Sequence, residues 1–159
     1  MKNFLIFFFK KTGLYILAMS VGFLIACGTK NIVNFDIVRG NSMEPTYKDG
    51  QIVLCDNLAK NTELERNKVY IIKSDYDGFK KNLIKRLIGK PGDKISIKSG
   101  KVYLNDELLD ENYPKIQCND CEVYLNKNEY YFLGDNRNNS IDSRIIGAIK
   151  RENIIKKVK

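Results

Sequence analysis

Three short segments of this chain carry residues on which chemistry can be built. The first is Arg39-Gly40-Asn41-Ser42-Met43-Glu44-Pro45-Thr46, where a β-like run ends, glycine permits an unusual backbone and proline fixes the chain just after a serine. Such a turn can present the Ser42 hydroxyl as a nucleophile, or leave it as an ordinary turn residue. The second is Asn82-Leu83-Ile84-Lys85-Arg86-Leu87-Ile88-Gly89, in which period-two alternation puts Lys85 on the face shared by Leu83 and Leu87. Desolvation in an apolar row disfavours the ammonium form, so such a lysine is available as a general base near neutral pH. The alternative is that its stem covers apolar surface while the amine reaches water. The third is the polar run Gly134-Asp135-Asn136-Arg137-Asn138-Asn139-Ser140-Ile141-Asp142-Ser143-Arg144, whose carboxylates and arginines suit a scaffold of charge-assisted hydrogen bonds, with Asp135 expected on Arg137 and Asp142 on Arg144. Loops of this composition are also found simply solvated.

Composition narrows the chemistry. The 159 residues include no histidine, so neither a Ser-His-Asp nor a Cys-His site can be assembled from them, and a nucleophilic serine must use another base. Without histidine a structural zinc site is not expected, nor is any other metal or organic cofactor. The net charge of +8 suits an anionic membrane surface or a soluble lysine-rich face. Lysines are spread along the chain without the arginine and aromatic cluster of a nucleic-acid module, so nucleic acid is not an expected partner.

The elements that must position these residues are legible in the pattern. From Phe35 onward, short β-branched and aromatic runs (FDIV, QIVLC, KVYIIK, NLIKRLI, KISIK, KVYL, EVYL and EYYFL) are broken by Gly, Asn, Asp and Pro, which predicts a mostly β domain. Ser99-Gly100 reads as a hairpin turn and Pro91-Gly92-Asp93 as the end of a strand. A short helix is expected around Leu58 to Asn67, and Ile154 to Lys159 reads as a last strand or a frayed end.

Between Lys11 and Lys30 no charged residue occurs, and the stretch is apolar on every face over ~27 Å of helix, close to one bilayer crossing. Lys2, Lys10 and Lys11 precede it and Lys30 follows, so the positive-inside bias places the N-terminus in the cytoplasm and the remainder outside. The expected organisation is a basic cytoplasmic N-terminus over 1–11, a transmembrane anchor over 12–29 and an extracytoplasmic domain over 30–159, with 94–133 its variable β subregion. A second reading of the anchor stays open, because Leu24-Ile25-Ala26-Cys27 also has the form of a lipoprotein cleavage site that would leave Cys27 lipidated. Cys118-Asn119-Asp120-Cys121 fits a local disulfide, a pair of free thiols or a redox motif, and Cys55 a small core residue.

Taken together, RGNSMEPT at 39–46, DGQIV at 49–53, KRLIGKPGD at 85–93 and GDNRNNSIDSR at 134–144, in this order after an apolar span, resemble the type I signal peptidase family. The resemblance implies a signal-peptidase-like β catalytic domain behind a single N-terminal transmembrane helix. It implies an endopeptidase that removes signal peptides from exported preproteins after small residues, in an Ala-X-Ala-like pattern. It makes Ser42 the nucleophile, Lys85 the general base and Ser140 an orienter of the lysine amine, with Asp142 and Arg144 bracing the site and Met43 lining the approach. Its partners are preproteins and the lipid bilayer, with the secretion translocase a further candidate. Where some members have a hydroxyl residue two positions before the nucleophile, this chain has Gly40, as others do, which leaves the second oxyanion donor to a backbone amide or a water. Two other readings bear weighing: the Ser-Lys peptidase of self-cleaving repressors, whose N-terminal DNA-binding domain is here replaced by the apolar span, and a catalytically silent tethered module, which would lack the serine or the lysine.

Overall fold

The computed structural model describes residues 15, 19, 20, 34–110 and 113–159. Contacts divide the chain into Met1–Val33 and Asn34–Lys159. In the first unit only Tyr15, Met19 and Ser20 are described, all helical, so the rest of the expected 12–29 anchor and Cys27 lie outside the described residues. Among the described residues no helix is long and apolar enough to cross a membrane.

The second unit is built almost wholly of antiparallel strands. A seven-stranded sheet takes the order β1-β2-β11-β3-β4-β9-β10, formed by β1 (Asn34–Ile37), β2 (Ile52–Asn57), β3 (Val69–Tyr76), β4 (Phe79–Gly89), β9 (Glu129–Leu133), β10 (Ile149–Lys150) and β11 (Ile154–Val158). A smaller sheet, in the order β7-β6-β5-β8, comprises β5 (Lys94–Lys98), β6 (Lys101–Leu104), β7 (Glu107–Leu108) and β8 (Cys121–Tyr124). The runs expected to be strands are strands, and Ser99 and Gly100 both have positive φ, at 51° and 75°, as a tight two-residue hairpin turn requires.

The four residues Val69–Ile72 within the KVYIIK run are apolar in succession because β3 is buried there on both faces. Val69 and Ile71 join Val38, Met43, Val53, Cys55 and Val158 in one cluster. Tyr70 and Ile72 join Leu64, Leu87, Phe132, Ile149 and Ile154 in another. Ile154 and Val158 fall in different clusters because the pairing of β11 with β3 shifts register between Ile154 and Lys156. A similar shift in the pairing of β4 with β9, between Leu87 and Gly89, accompanies the placing of Ile88 in a third cluster with Ile95, Ile97 and Leu133, whereas Leu87 stays with Phe132.

Two segments differ from the sequence expectation. Residues 58–67 form turns rather than a helix. Their backbone groups are taken by distant partners: Arg151 Nη2 donates to the carbonyls of Ala59 (2.7 Å) and Thr62 (3.2 Å), and the Leu58 N–H donates to the Ile155 carbonyl (3.1 Å). Conversely, the end of the 134–144 loop passes into a one-turn helix, α1 (Ser143–Ile146), which Asp142 caps by accepting from the Arg144 N–H.

Candidate active site

The serine segment follows β1. Gly40 has φ +78°, a conformation that suits glycine, and its N–H donates to Asp49 Oδ1 at 2.7 Å. The chain then turns tightly, with the Glu44 N–H on the Asn41 carbonyl at 3.1 Å and the Tyr47 N–H on the Met43 carbonyl at 2.9 Å. Met43 is only 1% exposed and packs in the Val38 and Val53 cluster, so it anchors the turn while also lining the groove beside it. The segment is clamped to the 134–144 loop by Asn136, whose N–H reaches the Ser42 carbonyl at 3.0 Å and whose Nδ2 reaches the Asn41 carbonyl at 3.1 Å.

Lys85 comes from β4, opposite Tyr70 of β3, on the face that the alternation assigned to it. It is 2% exposed, and its Nζ lies 2.7 Å from Ser42 Oγ and 2.9 Å from the Ile84 carbonyl. Burial pushes the amine down to about 8, against the opposing pull of the Asp142 and Asp135 carboxylates. The two residues are 43 positions apart in the chain, and the fold brings their reactive atoms into contact.

Ser140 stands close by but bonds to neither. Its Oγ is buried without a hydrogen-bond partner among the described residues, and it packs so tightly on Gly134 that a Cβ there would lie 2.2 Å from Ser140 Oγ and 2.6 Å from the Ser42 carbonyl oxygen. Asp142 is fully buried and accepts from the Gly134 N–H (2.9 Å), Arg144 Nε (2.7 Å) and Arg144 Nη2 (2.6 Å), while Arg144 Nη1 reaches the Arg137 carbonyl (2.6 Å). The expected Asp142–Arg144 pair is therefore present.

The expected Asp135–Arg137 pair is not. Asp135 is held by Arg86, through Nε at 2.8 Å and Nη2 at 2.6 Å, and also accepts from the Thr46 hydroxyl. Arg137 is buried, donates from Nε to the Gly134 carbonyl at 3.0 Å and lies with its guanidinium 4.4 Å from the Tyr113 ring centroid. Sequence spacing favoured the neighbour at i+2. Arg86, directly after Lys85 and so on the opposite face of β4, was the available signal for the true partner.

A groove of about 1120 Å³ runs between Phe35–Arg39 on one side and Lys80–Lys85 on the other, and both Ser42 and Lys85 line it. Among the described residues its walls carry unused strand edges. β1 is the last strand of its sheet, and β9 pairs with β4 only from Arg86 onward. Among the described residues the Ser42 N–H has no hydrogen-bond partner, whereas the Gly40 N–H is committed to Asp49.

A serine hydroxyl in contact with a buried lysine amine, with a free backbone N–H beside it and a groove flanked by open strand edges, has the parts of a serine hydrolase that works without histidine. The chain belongs to the signal peptidase, peptidase S26, family, which it matches over residues 11–159. It is 36% identical over 120 residues to signal peptidase I U of Bacillus subtilis, covering 68% of this chain and 63% of that protein. It is 31% identical over 151 residues to the probable signal peptidase I-2 of Synechocystis, covering 86% of this chain and 66% of that one. With signal peptidase IB of Staphylococcus aureus the identity is 31% over 166 residues, covering 91% and 85%. The chain thus spans just under two thirds of the length of the first two relatives. Among solved structures, a signal peptidase I from Enterococcus faecalis V583 aligns with a TM-score of 0.51 at 24% identity, over 58% of this chain and 94% of that one, a likeness of fold.

Proposed function

We propose that this chain is a membrane-bound type I signal peptidase, a serine endopeptidase that cuts signal peptides from exported preproteins after small residues. The observation that carries the reading is the 2.7 Å contact between the buried Lys85 Nζ and Ser42 Oγ. Neutral Lys85 takes the Ser42 proton as Oγ attacks the scissile carbonyl, and the resulting ammonium protonates the leaving amine. Lys85 then activates the water that releases the acyl group. The Ser42 N–H is the first oxyanion donor. Ser140, whose Oγ is buried and has no hydrogen-bond partner among the described residues, is poised to accept from the Lys85 ammonium once Ser42 is acylated, and Asp142 with Arg144 fixes the backbone on which Ser140 sits.

The substrate is bound as an extended strand. Its backbone pairs with the open edges of β1 and β4, and its side chains enter shallow apolar pockets that favour small residues. Support for a membrane setting comes from Phe35, Ile37, Ile52 and Leu54, all exposed and cross-paired on one face of the β1–β2 hairpin. In this reading the apolar span over 12–29 is the anchor, and the positive-inside bias of Lys2, Lys10 and Lys11 has the N-terminus in the cytoplasm and the catalytic unit outside, against lipid.

The test is cleavage of a preprotein by the purified full chain in detergent, beside Ser42→Ala and Lys85→Ala. Each substitution is expected to lower the rate by roughly 10³-fold or more. Cleavage at the wild-type rate in both variants would sink the assignment.

A further inference from the structure

The segment leading into β8 is fastened to the loop that carries Ser140, Asp142 and Arg144. Asn138 accepts from the Gln117 N–H at 2.8 Å through Oδ1 and donates from Nδ2 to the Lys115 carbonyl at 3.1 Å. Between these two residues Ile116 is buried in the small-sheet core, its N–H on the Gly100 carbonyl at 2.9 Å. Immediately beyond this strap lie Cys118 and Cys121, both free and exposed, in contrast to the buried Cys55. Cys121 opens β8 opposite Ile97, and Asp120 Oδ1 accepts from the Ser99 N–H at 2.8 Å, so the tetrapeptide is pinned at its far end as well. The charges of the two thiols act on each other and on Tyr131, and that of Cys118 acts on Arg144, which grips Asp142.

We propose that Cys118 and Cys121 form a thiol–disulfide site whose oxidation tightens the 115–121 strap on the loop that holds Ser140, Asp142 and Arg144. The oxidant is a disulfide donor, either a small-molecule disulfide or that of an oxidoreductase. The Cys118 thiolate attacks one donor sulfur, giving a mixed disulfide and releasing one donor thiol. The Cys121 thiolate then attacks the Cys118 sulfur and releases the second. Two protein thiols are oxidised, one donor disulfide is reduced to two thiols, and the two protons pass to them. A ring this short removes little entropy from the unfolded chain, so its larger effect is to suppress local opening of the strap and of the loop joined to it.

The purified full chain is incubated with oxidised glutathione or with dithiothreitol, blocked with iodoacetamide and mapped by mass, and its amide exchange is compared in the two states. After oxidised glutathione the peptide bearing Cys118 and Cys121 is expected to take no label and to be lighter by two hydrogens, and after dithiothreitol to take two labels. The Gln117 amide and those of 134–144 are expected to exchange at least about threefold more slowly when the bond is present. In the double variant Cys118→Ser, Cys121→Ser the two buffers give one rate. Asn138→Ala is expected to keep the bond but lose the protection of 134–144. The inference is overturned if both cysteines remain labelled after oxidised glutathione, if they pair elsewhere, or if the bond forms while the loop exchanges as before. Labelling and exchange need no substrate, so their outcome is independent of the peptidase assignment.

Discussion

Arg86 grips both carboxylate oxygens of the fully buried Asp135, Nε on Oδ1 at 2.8 Å and Nη2 on Oδ2 at 2.6 Å, and so ties the strand that carries Lys85 to the loop that carries Asp142. The Thr46 hydroxyl donates to the same carboxylate, so the turn after Ser42 is drawn to the same point. All three polar segments of the site thus converge on one side chain that touches neither Ser42 nor Lys85.

Asp135→Asn keeps the volume and removes the charge, leaving the Arg86 guanidinium, itself only 16% exposed, without its counter-ion. Breaking such a pair is expected to cost about 3 kcal/mol of stability. It also loosens the frame that holds Ser42 against Lys85, so kcat is expected to fall more than KM rises. Urea melts and steady-state cleavage measure both effects; a wild-type melting midpoint would remove Asp135 from this role.

The Lys85 amine, lowered by burial to about 8, makes two quantities depend on pH. In the proposed mechanism the base is the neutral amine, so kcat/KM is expected to rise about tenfold per pH unit below 8 and to level off above it. Stability follows the same group. Its unfolded value is 10.5 and its folded value about 8. Between these the unfolded chain binds more protons than the native one, so stability rises with pH from 8 to 10.5, and below 8 the native state bears the full penalty of about 3 kcal/mol. Lys85→Met is therefore expected to abolish cleavage yet melt above the wild type at pH 7, an advantage that shrinks toward pH 10.5. A variant less stable than wild type at pH 7, or a gap constant with pH, would contradict this account.

Much of this arrangement is legible in the sequence because it rests on local rules. Alternation and β-branched runs mark the strands, Ser99-Gly100 marks a hairpin, and an apolar row around Lys85 marks a desolvated amine. What local rules omit is which distant group meets which. Residues 58–67 look helical in isolation, but Arg151 and β11 supply their hydrogen-bond partners from some 90 residues away. Asp135 has an arginine two positions on, yet its partner is 49 positions back, since only the folded sheet brings Arg86 beside the loop. The Ser42–Lys85 contact likewise follows from the turn after β1 being clamped by Asn136 to the loop beyond β9, a closure with no local signature.

Ser96 lies wholly buried in β5, between Ile95 and Ile97, and its Oγ has no hydrogen-bond partner among the described residues. A buried hydroxyl without a partner loses its hydration with nothing in return. Ser96→Ala is expected to raise stability by about 1 kcal/mol while leaving cleavage unchanged, since Ser96 does not line the groove. Chemical denaturation checks the first part; a loss of stability would mean that the hydroxyl has a partner in solution.

Gly134 decides how closely the loop approaches the serine. A Cβ at this position would lie 2.2 Å from Ser140 Oγ, 2.6 Å from Ser140 Cβ and 2.6 Å from the Ser42 carbonyl oxygen. Two of these contacts are with a side chain that cannot swing away, because its own Cβ is involved, and the third is with backbone. Gly134→Ala must therefore displace Ser140 and Ser42 together, which is expected to cost about 2 kcal/mol of stability and roughly 10²-fold in cleavage rate. Adding Ser140→Gly removes both side-chain overlaps but not the one with the Ser42 carbonyl. The double variant is expected to recover part of the lost stability and none of the lost rate, a coupling that a double-mutant cycle measures directly. If the two substitutions add independently in stability, Ser140 and Gly134 do not meet as described; if the double variant regains wild-type cleavage, the position of the Ser42 backbone does not limit the reaction.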